Sequence, residues 1–330
     1  VATLVELSLF GSLFVSCFNL MDDAPRIYFV AGVTAVGKTA FSLDWAEREG
    51  AEVLSCDALL FYRGMNLGTA KPTILEQDRV PHHGIDLCEP SDSFDVARYV
   101  DYAKSKVKEI QERGRPVLVV GGSGFYLKGF FEPVSDGLVI PNAIREKVEL
   151  LERKEGLVGL LHELRDLNPD GLGDLDVMNP RRVSRSLERC LASGDSVIAL
   201  QRRFLETPSP FDHYVRRSCL LERDSADLEK RIRLRAAAIL NAGLVEETEH
   251  LLEHGLGGNP TACRAVGYRE VLAMLAGSLP KDQLLETIVR STLQLAAKQR
   301  KWFRNQFHPD VRLVADAGNS FSINDFPLAP

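Results

Sequence analysis

The sequence predicts an α/β protein: a parallel sheet covered by helices on both faces, interrupted by a helical insertion and followed by a helical C-terminal part. Three observations carry this. Short runs rich in β-branched and aromatic residues at 26–31 (RIYFVA), 52–56 (EVLSC) and 116–120 (PVLVV) alternate with helical stretches at 38–49 and 94–113. Continuous apolar runs separated by amphipathic helices are the mark of parallel strands buried on both sides. From 139 to 205 that alternation stops, and short amphipathic stretches dense in charge replace it, before 214–222 (YVRRSCLLE) returns to strand composition. With 45% apolar and 26% charged residues over 330 positions, the chain is globular in type, and its length implies two domains or one with a large insertion.

Each element has its local reason. The run 26–31 ends at Gly32 and reads as a buried strand. The helix at 38–49 stops at Gly50, and the strand 52–56 runs into Asp57. In 94–113, Val96, Tyr99, Val100, Ala103, Val107 and Ile110 share one helical face. The strand 116–120 ends at Gly121 and Gly122. Asp224 or Ser225 caps a helix to about 241, with Gly243 beyond its end. The rest is helical through 307. The division drawn from this is 21–138 core, 139–205 helical insertion, 206–310 return to the core, and 311–330 tail. Residues 7–21 carry no charge, but a membrane-spanning helix needs about 20 apolar residues and a secretory leader wants Lys or Arg before its apolar core. Residues 1–20 therefore read as an extension, with the working protein starting near Met21 and no membrane partner expected.

The six Cys (17, 56, 88, 190, 219, 263) form no CxxC pair and no dense framework, which points to a reducing compartment and a cytoplasmic location. His250 and His254 stand at helical i, i+4 spacing and read as a solvated helix face, since no third ligand suggests itself nearby.

Residues 32–39 (GVTAVGKT) fit GxxxxGK[ST] between a strand and a helix, the context that gives this motif meaning and makes the core P-loop NTPase-like. Gly32, Thr34, Ala35 and Gly37 lie along a loop whose backbone N–H groups turn around an anion. Lys38 adds a point charge, the Thr39 hydroxyl is placed to hold Mg²⁺, and the helix dipole reinforces both. A di- or triphosphate is expected. A nucleotide-dependent kinase or NTPase usually has an acid at the end of a hydrophobic strand to hold Mg²⁺. Here 116–120 ends in Gly121-Gly122-Ser123-Gly124, and the acid instead follows the second strand, at Asp57. That favours a loop holding a pyrophosphate that leaves.

Several segments together resemble the tRNA dimethylallyltransferase (tRNA isopentenyltransferase) family: 32–39; 55–57 (SCD) with Tyr62; 68–72 (GTAKP); 81–86 (PHHGID); 121–126 (GGSGFY); 179–185 (NPRRVSR) with Leu187 and Glu188; Arg231, Ile232 and Arg235; and 266–268 (VGY). The resemblance implies that the exocyclic amine of an adenosine 3′ of the anticodon attacks dimethylallyl diphosphate. In it Asp57 matches the general base, Arg235 a pyrophosphate-contacting Arg, and Ser123 the family's Thr where amine and diphosphate meet. Arg181, Arg182, Arg185 and Lys71 are implied tRNA contacts, the helical insertion a second jaw of the grip, and a monomer the working form. The sequence departs from the family at Val33 and Val36 in the loop, at Ala58 and Leu60 after the Asp, and in 292–299 (TLQLAAKQ). Tyr268 reads as core, and His82-His83 as substrate-loop structure.

A formal charge of −6 argues against nucleic acid only on average. Residues 181–235 hold thirteen Lys and Arg against eight Asp and Glu, and Lys298, Arg300, Lys301 and Arg304 form a second basic stretch. Such stretches suit an anticodon stem backbone. The alternatives are a P-loop small-molecule or nucleotide kinase, an adenylate isopentenyltransferase, and a divergent paralogue with altered or lost activity.

Overall fold

The computed structural model describes residues 25–315 and 318–328; the extension read at 1–20 lies outside them. The chain divides into two compact units, 129–210 and the remainder. In chain order, the larger unit starts with β1 (Arg26–Gly32), α1 (Lys38–Glu49), β2 (Glu52–Ser55), α2 (Ile74–Arg79), β3 (His82–His83), α3 (Val96–Glu112), β4 (Val117–Gly121) and α4 (Gly124–Lys128). The helical unit holds α5 (Asn142–Asp166), α6 (Pro180–Ser193) and α7 (Val197–Glu206). The larger unit resumes with β5 (Val215–Arg223), α8 (Ser225–Asn241), α9 (Leu244–Glu253), α10 (Tyr268–Leu275), α11 (Leu284–Gln306) and β6 (Val311–Ala315).

The six strands form one sheet in the order β3-β2-β4-β1-β5-β6, every pair parallel. Six of the seven residues of β1 are buried, as an all-parallel interior requires. The six residues placed on one face of α3 are all buried, and Asp95 caps that helix by accepting from the Arg98 N–H. Asp224 is the cap of α8, accepting from the N–H groups of Ala226 and Asp227.

Two strands escaped the sequence reading. β3 is two residues long, too short for a periodic signal, and lies where a loop was expected. β6 falls in the stretch read as tail: its alternating exposure is that of an edge strand. It is fastened where Asp310 accepts from the backbone N–H and hydroxyl of Ser218 at 2.6 and 2.8 Å. Beyond it Phe326 is fully buried against Tyr28 and Trp45. An isolated aromatic held by tertiary packing leaves no period to read.

The helical unit has its own core of Val148, Leu160, Leu164, Val183, Leu187, Cys190, Val197 and Leu200. The 139–205 drawn from charge texture falls short of its edges because 129–138 packs within it. Asp136, its side chain 1% exposed, takes a bidentate Arg189 and also faces Arg203.

Candidate active site

The carboxyl ends of β1, β2 and β4 lie side by side in the sheet. In an open parallel sheet this edge is where ligands bind. β1 delivers the loop 32–39, β2 delivers Asp57, and β4 delivers Ser123. Two cavities open there, of about 520 and 210 Å³. Thr34, Ala35, Asp57, Thr69, Arg235 and Gln299 line both, so they mark the junction. The larger cavity adds Gly37, Lys38, Thr39, Leu60 and Arg231. The smaller adds Ser123 and an apolar wall that includes Ile232, Val266, Ile288 and Leu295. One chamber is built for an anion and the other for an apolar or flat group.

Charge explains the junction. Lys38 Nζ donates to the carbonyls of Gly32 and Val33, at 2.9 Å each. Burial pushes the Lys38 ammonium down to about 8; Asp57 opposes that fall and the nearby Arg235 adds to it. Burial also lowers Arg235, again opposed by Asp57. Two cations thus face one carboxylate, an imbalance that favours an anion. Arg235 approaches the Thr34 hydroxyl at 3.4 Å, and Arg231 donates to the Ala35 carbonyl at 2.9 Å, so α8 grips the phosphate loop from outside. Ala35 holds that loop in a left-handed conformation (φ 60), a strained backbone of the kind that clusters at functional sites.

Asp57 Oδ1 accepts from the Leu59 N–H at 3.2 Å, which orients the carboxylate, and Ser123 Oγ accepts from the Ala58 N–H at 3.4 Å. The Thr39 hydroxyl is on an exposed residue of the larger cavity and makes no side-chain hydrogen bond among the described residues. A hydroxyl is a hard-oxygen donor of the kind Mg²⁺ prefers, so Thr39 is the residue here that could hold that ion.

The motif loops support one another. Lys71, expected to touch RNA, is instead a scaffold residue, with its side chain 3% exposed. It pairs with Asp86 and donates to the Tyr62 carbonyl, joining 68–72 to 81–86. Buried this deeply and paired with a carboxylate, the ammonium is not presented to an outside phosphate. Tyr268 is core, as expected, and its hydroxyl donates to Glu247, which accepts from the backbone N–H groups of Asn66 and Leu67. Its ring leaves no room at Gly68, where an added Cβ would stand 2.4 Å from the nearest ring atom. His82 lines the larger cavity, whereas His83 turns to Glu52 at 2.6 Å, as adjacent strand residues must.

Arg181, Arg182 and Arg185 lie exposed on α6 of the helical unit, Arg185 paired with Glu188 at 2.8 Å. His250 and His254 are exposed at the end of α9, where Glu253 joins them, and none of the three lines either cavity. The sequence reading missed the site role of Gln299: a lone Gln on a charged helix carries no pattern, and its partners lie more than 170 residues away.

Fold and site thus define a phosphate-loop α/β protein with a twin-chambered pocket at the carboxyl edge of its sheet. A model of the IPP transferase family matches residues 60–306. The chain is 49% identical over 303 residues to a tRNA dimethylallyltransferase of Opitutus terrae, covering 91% of this chain and 97% of that protein. The chain belongs to the IPP transferase (tRNA dimethylallyltransferase) family. Its fold is similar to a full-length tRNA isopentenylpyrophosphate transferase of Bacillus halodurans (TM-score 0.62, 31% identity, 88% of this chain and 90% of that one). It is similar in fold to a eukaryotic dimethylallyltransferase solved acting on tRNA (TM-score 0.76, 24% identity, 89% of this chain and 74% of that one). Among the described residues no helix is long and apolar enough to cross a membrane.

Proposed function

We propose that this protein transfers the dimethylallyl group of dimethylallyl diphosphate to the N6 amine of the adenosine 3′ of the anticodon in tRNA, in the cytoplasm and as a monomer. The observation that carries this reading is Asp57 at the junction of an anion chamber and a largely apolar one. Diphosphate lies in the loop 32–39, and the flat base enters the other chamber, having left its stack to do so. The amine nitrogen bonds to C1 of the allyl group as the C1–O bond breaks. Asp57 takes the proton the amine loses, and the electron pair of the broken bond departs on diphosphate. A positioned base of this kind contributes ~10²–10⁴ in rate. Loop N–H groups, Lys38 and Arg235 stabilise the charge gathering on the leaving group. Thr39 would hold Mg²⁺, which would supply further neutralisation of the leaving group. Arg181, Arg182 and Arg185 contact the anticodon stem through its phosphates. Ser123 helps orient the amine beside Asp57.

A kinase is disfavoured because β4 ends at Gly121 and runs into Gly122-Ser123-Gly124, with no acid for the metal. Incubation with labelled dimethylallyl diphosphate and bulk tRNA tests the reading. Label in acid-precipitable RNA is the expected result; ATP turnover without labelled RNA would sink it.

A further inference from the structure

Gln299 touches two loops of the site at once. Its Oε1 accepts from the Thr34 N–H at 2.9 Å, and its Nε2 donates to the Gly122 carbonyl at 2.9 Å. Both partners are backbone groups of fixed polarity, so the amide can sit only one way round. The position is telling. β1 and β4 are paired as far as Ala31 and Gly121, and there the ladder ends. One chain then turns into the phosphate loop and the other into the loop carrying Ser123. The Gln299 amide bridges the chains just past that point, as one more rung made by a side chain. The gap leaves no slack: a Cβ added at Gly122 would stand 2.8 Å from the Gly32 carbonyl oxygen and 3.0 Å from Gln299 Nε2.

α11, which carries Gln299, is itself fastened. Arg300 donates to the Ser225 hydroxyl and the Arg223 carbonyl at 2.7 and 2.8 Å, and Phe303 is buried. The Trp302 ring packs so close over Gly124 that a Cβ there would stand 2.2 Å from it. Gln299 thus projects from a rigid helix into the junction of both chambers.

We infer that Gln299 is a positioning residue for the transfer: it sets the spacing between the loop that holds the diphosphate and the loop that holds Ser123 beside Asp57. This rests on the function proposed above. Transfer requires amine and allyl carbon at near-attack distance, ~3–3.5 Å, and a displacement of about 1 Å costs ~10²-fold in rate. Lost spacing therefore lowers turnover and leaves anion affinity nearly intact, because Lys38, Arg235 and the other loop N–H groups remain.

The test uses the full chain with Gln299→Leu, which removes both bonds, and Gln299→Glu, which keeps the acceptor for Thr34 and loses the donor to Gly122. The expected result for both is kcat lower by ~10²-fold; for Gln299→Leu the KM for dimethylallyl diphosphate and the affinity for pyrophosphate stay within about threefold of the parent, whereas the added carboxylate of Gln299→Glu also weakens pyrophosphate binding by repulsion. Should Gln299→Leu fail to fold, Gln299→Glu carries the test. A lower melting temperature with unchanged kcat per folded site would overturn the inference, as would a loss that appears wholly as weaker pyrophosphate binding. Absence of transfer by the unsubstituted protein would instead refute the function proposed above.

Discussion

The two units use charge in opposite ways. The larger one gathers Lys38, Arg235 and Asp57 at the walls of a shared pocket, where each shifts or opposes the others. The helical unit wears Arg181, Arg182 and Arg185 on the open face of α6. Charges in a partly desolvated pocket act strongly over a few ångströms, whereas exposed charges act weakly and are screened by salt. The first arrangement suits one reacting centre, and the second suits a long polyanion whose phosphates add small increments. Proximity to a motif does not decide which kind a residue is. Lys71 stands in a family motif yet serves neither purpose, because its charge is spent on Asp86 and the Tyr62 carbonyl.

Substitutions should separate these classes. The largest effect is expected at Asp57: Asp57→Asn keeps the shape and removes the base, so steady-state turnover falls by ~10²–10⁴ while pyrophosphate affinity, by calorimetry, changes little. Arg235→Ala removes leaving-group stabilisation and is expected to lower kcat by ~10²–10³, with weaker pyrophosphate binding as well. On the helical unit, Arg181→Ala with Arg182→Ala should weaken tRNA binding evenly across tRNA species and reduce the salt slope by about one per lost phosphate contact. Lys71→Met should leave that slope unchanged and lower stability by about 1–3 kcal/mol, seen in denaturant melts.

The most diagnostic effect is on pH. Lys38 lies at about 8 in the folded protein against 10.5 ordinarily. Below about 8 it is charged and ready for the anion; above that, binding diphosphate must first take up a proton. Pyrophosphate affinity is therefore expected to fall as pH rises past about 8, approaching tenfold per unit. Stability runs the other way. Between about 8 and 10.5 the unfolded chain holds more protons than the folded one, so the Lys38 contribution to stability rises with pH across that window and its cost is full below it. A pyrophosphate affinity flat from pH 7 to 10 would contradict this account of the anion chamber.

What could be read beforehand was local. The phosphate loop is eight consecutive residues whose own backbone does the binding, and Asp57 and Ser123 follow strands that announce themselves by composition. Arg235 was legible only through resemblance, since one Arg in a helix rich in them looks solvated. Lys71 was misjudged because a motif gives identity without exposure, and Asp86, which buries its charge, is 15 residues away. β6 and Phe326 depend on partners distant in sequence: Ser218, 92 residues from Asp310, for the strand, and Tyr28 and Trp45, near the start of the chain, for the ring. Gln299 is the extreme case, meaningful only where two loops converge on it.

The central claim is tested most directly by mass spectrometry of tRNA nucleosides from cells lacking the gene, complemented with the unsubstituted protein or with Asp57→Asn. N6-dimethylallyl adenosine is expected to disappear on deletion, to return with the unsubstituted protein and not to return with Asp57→Asn. Unchanged levels after deletion, or full restoration by Asp57→Asn, would contradict that claim.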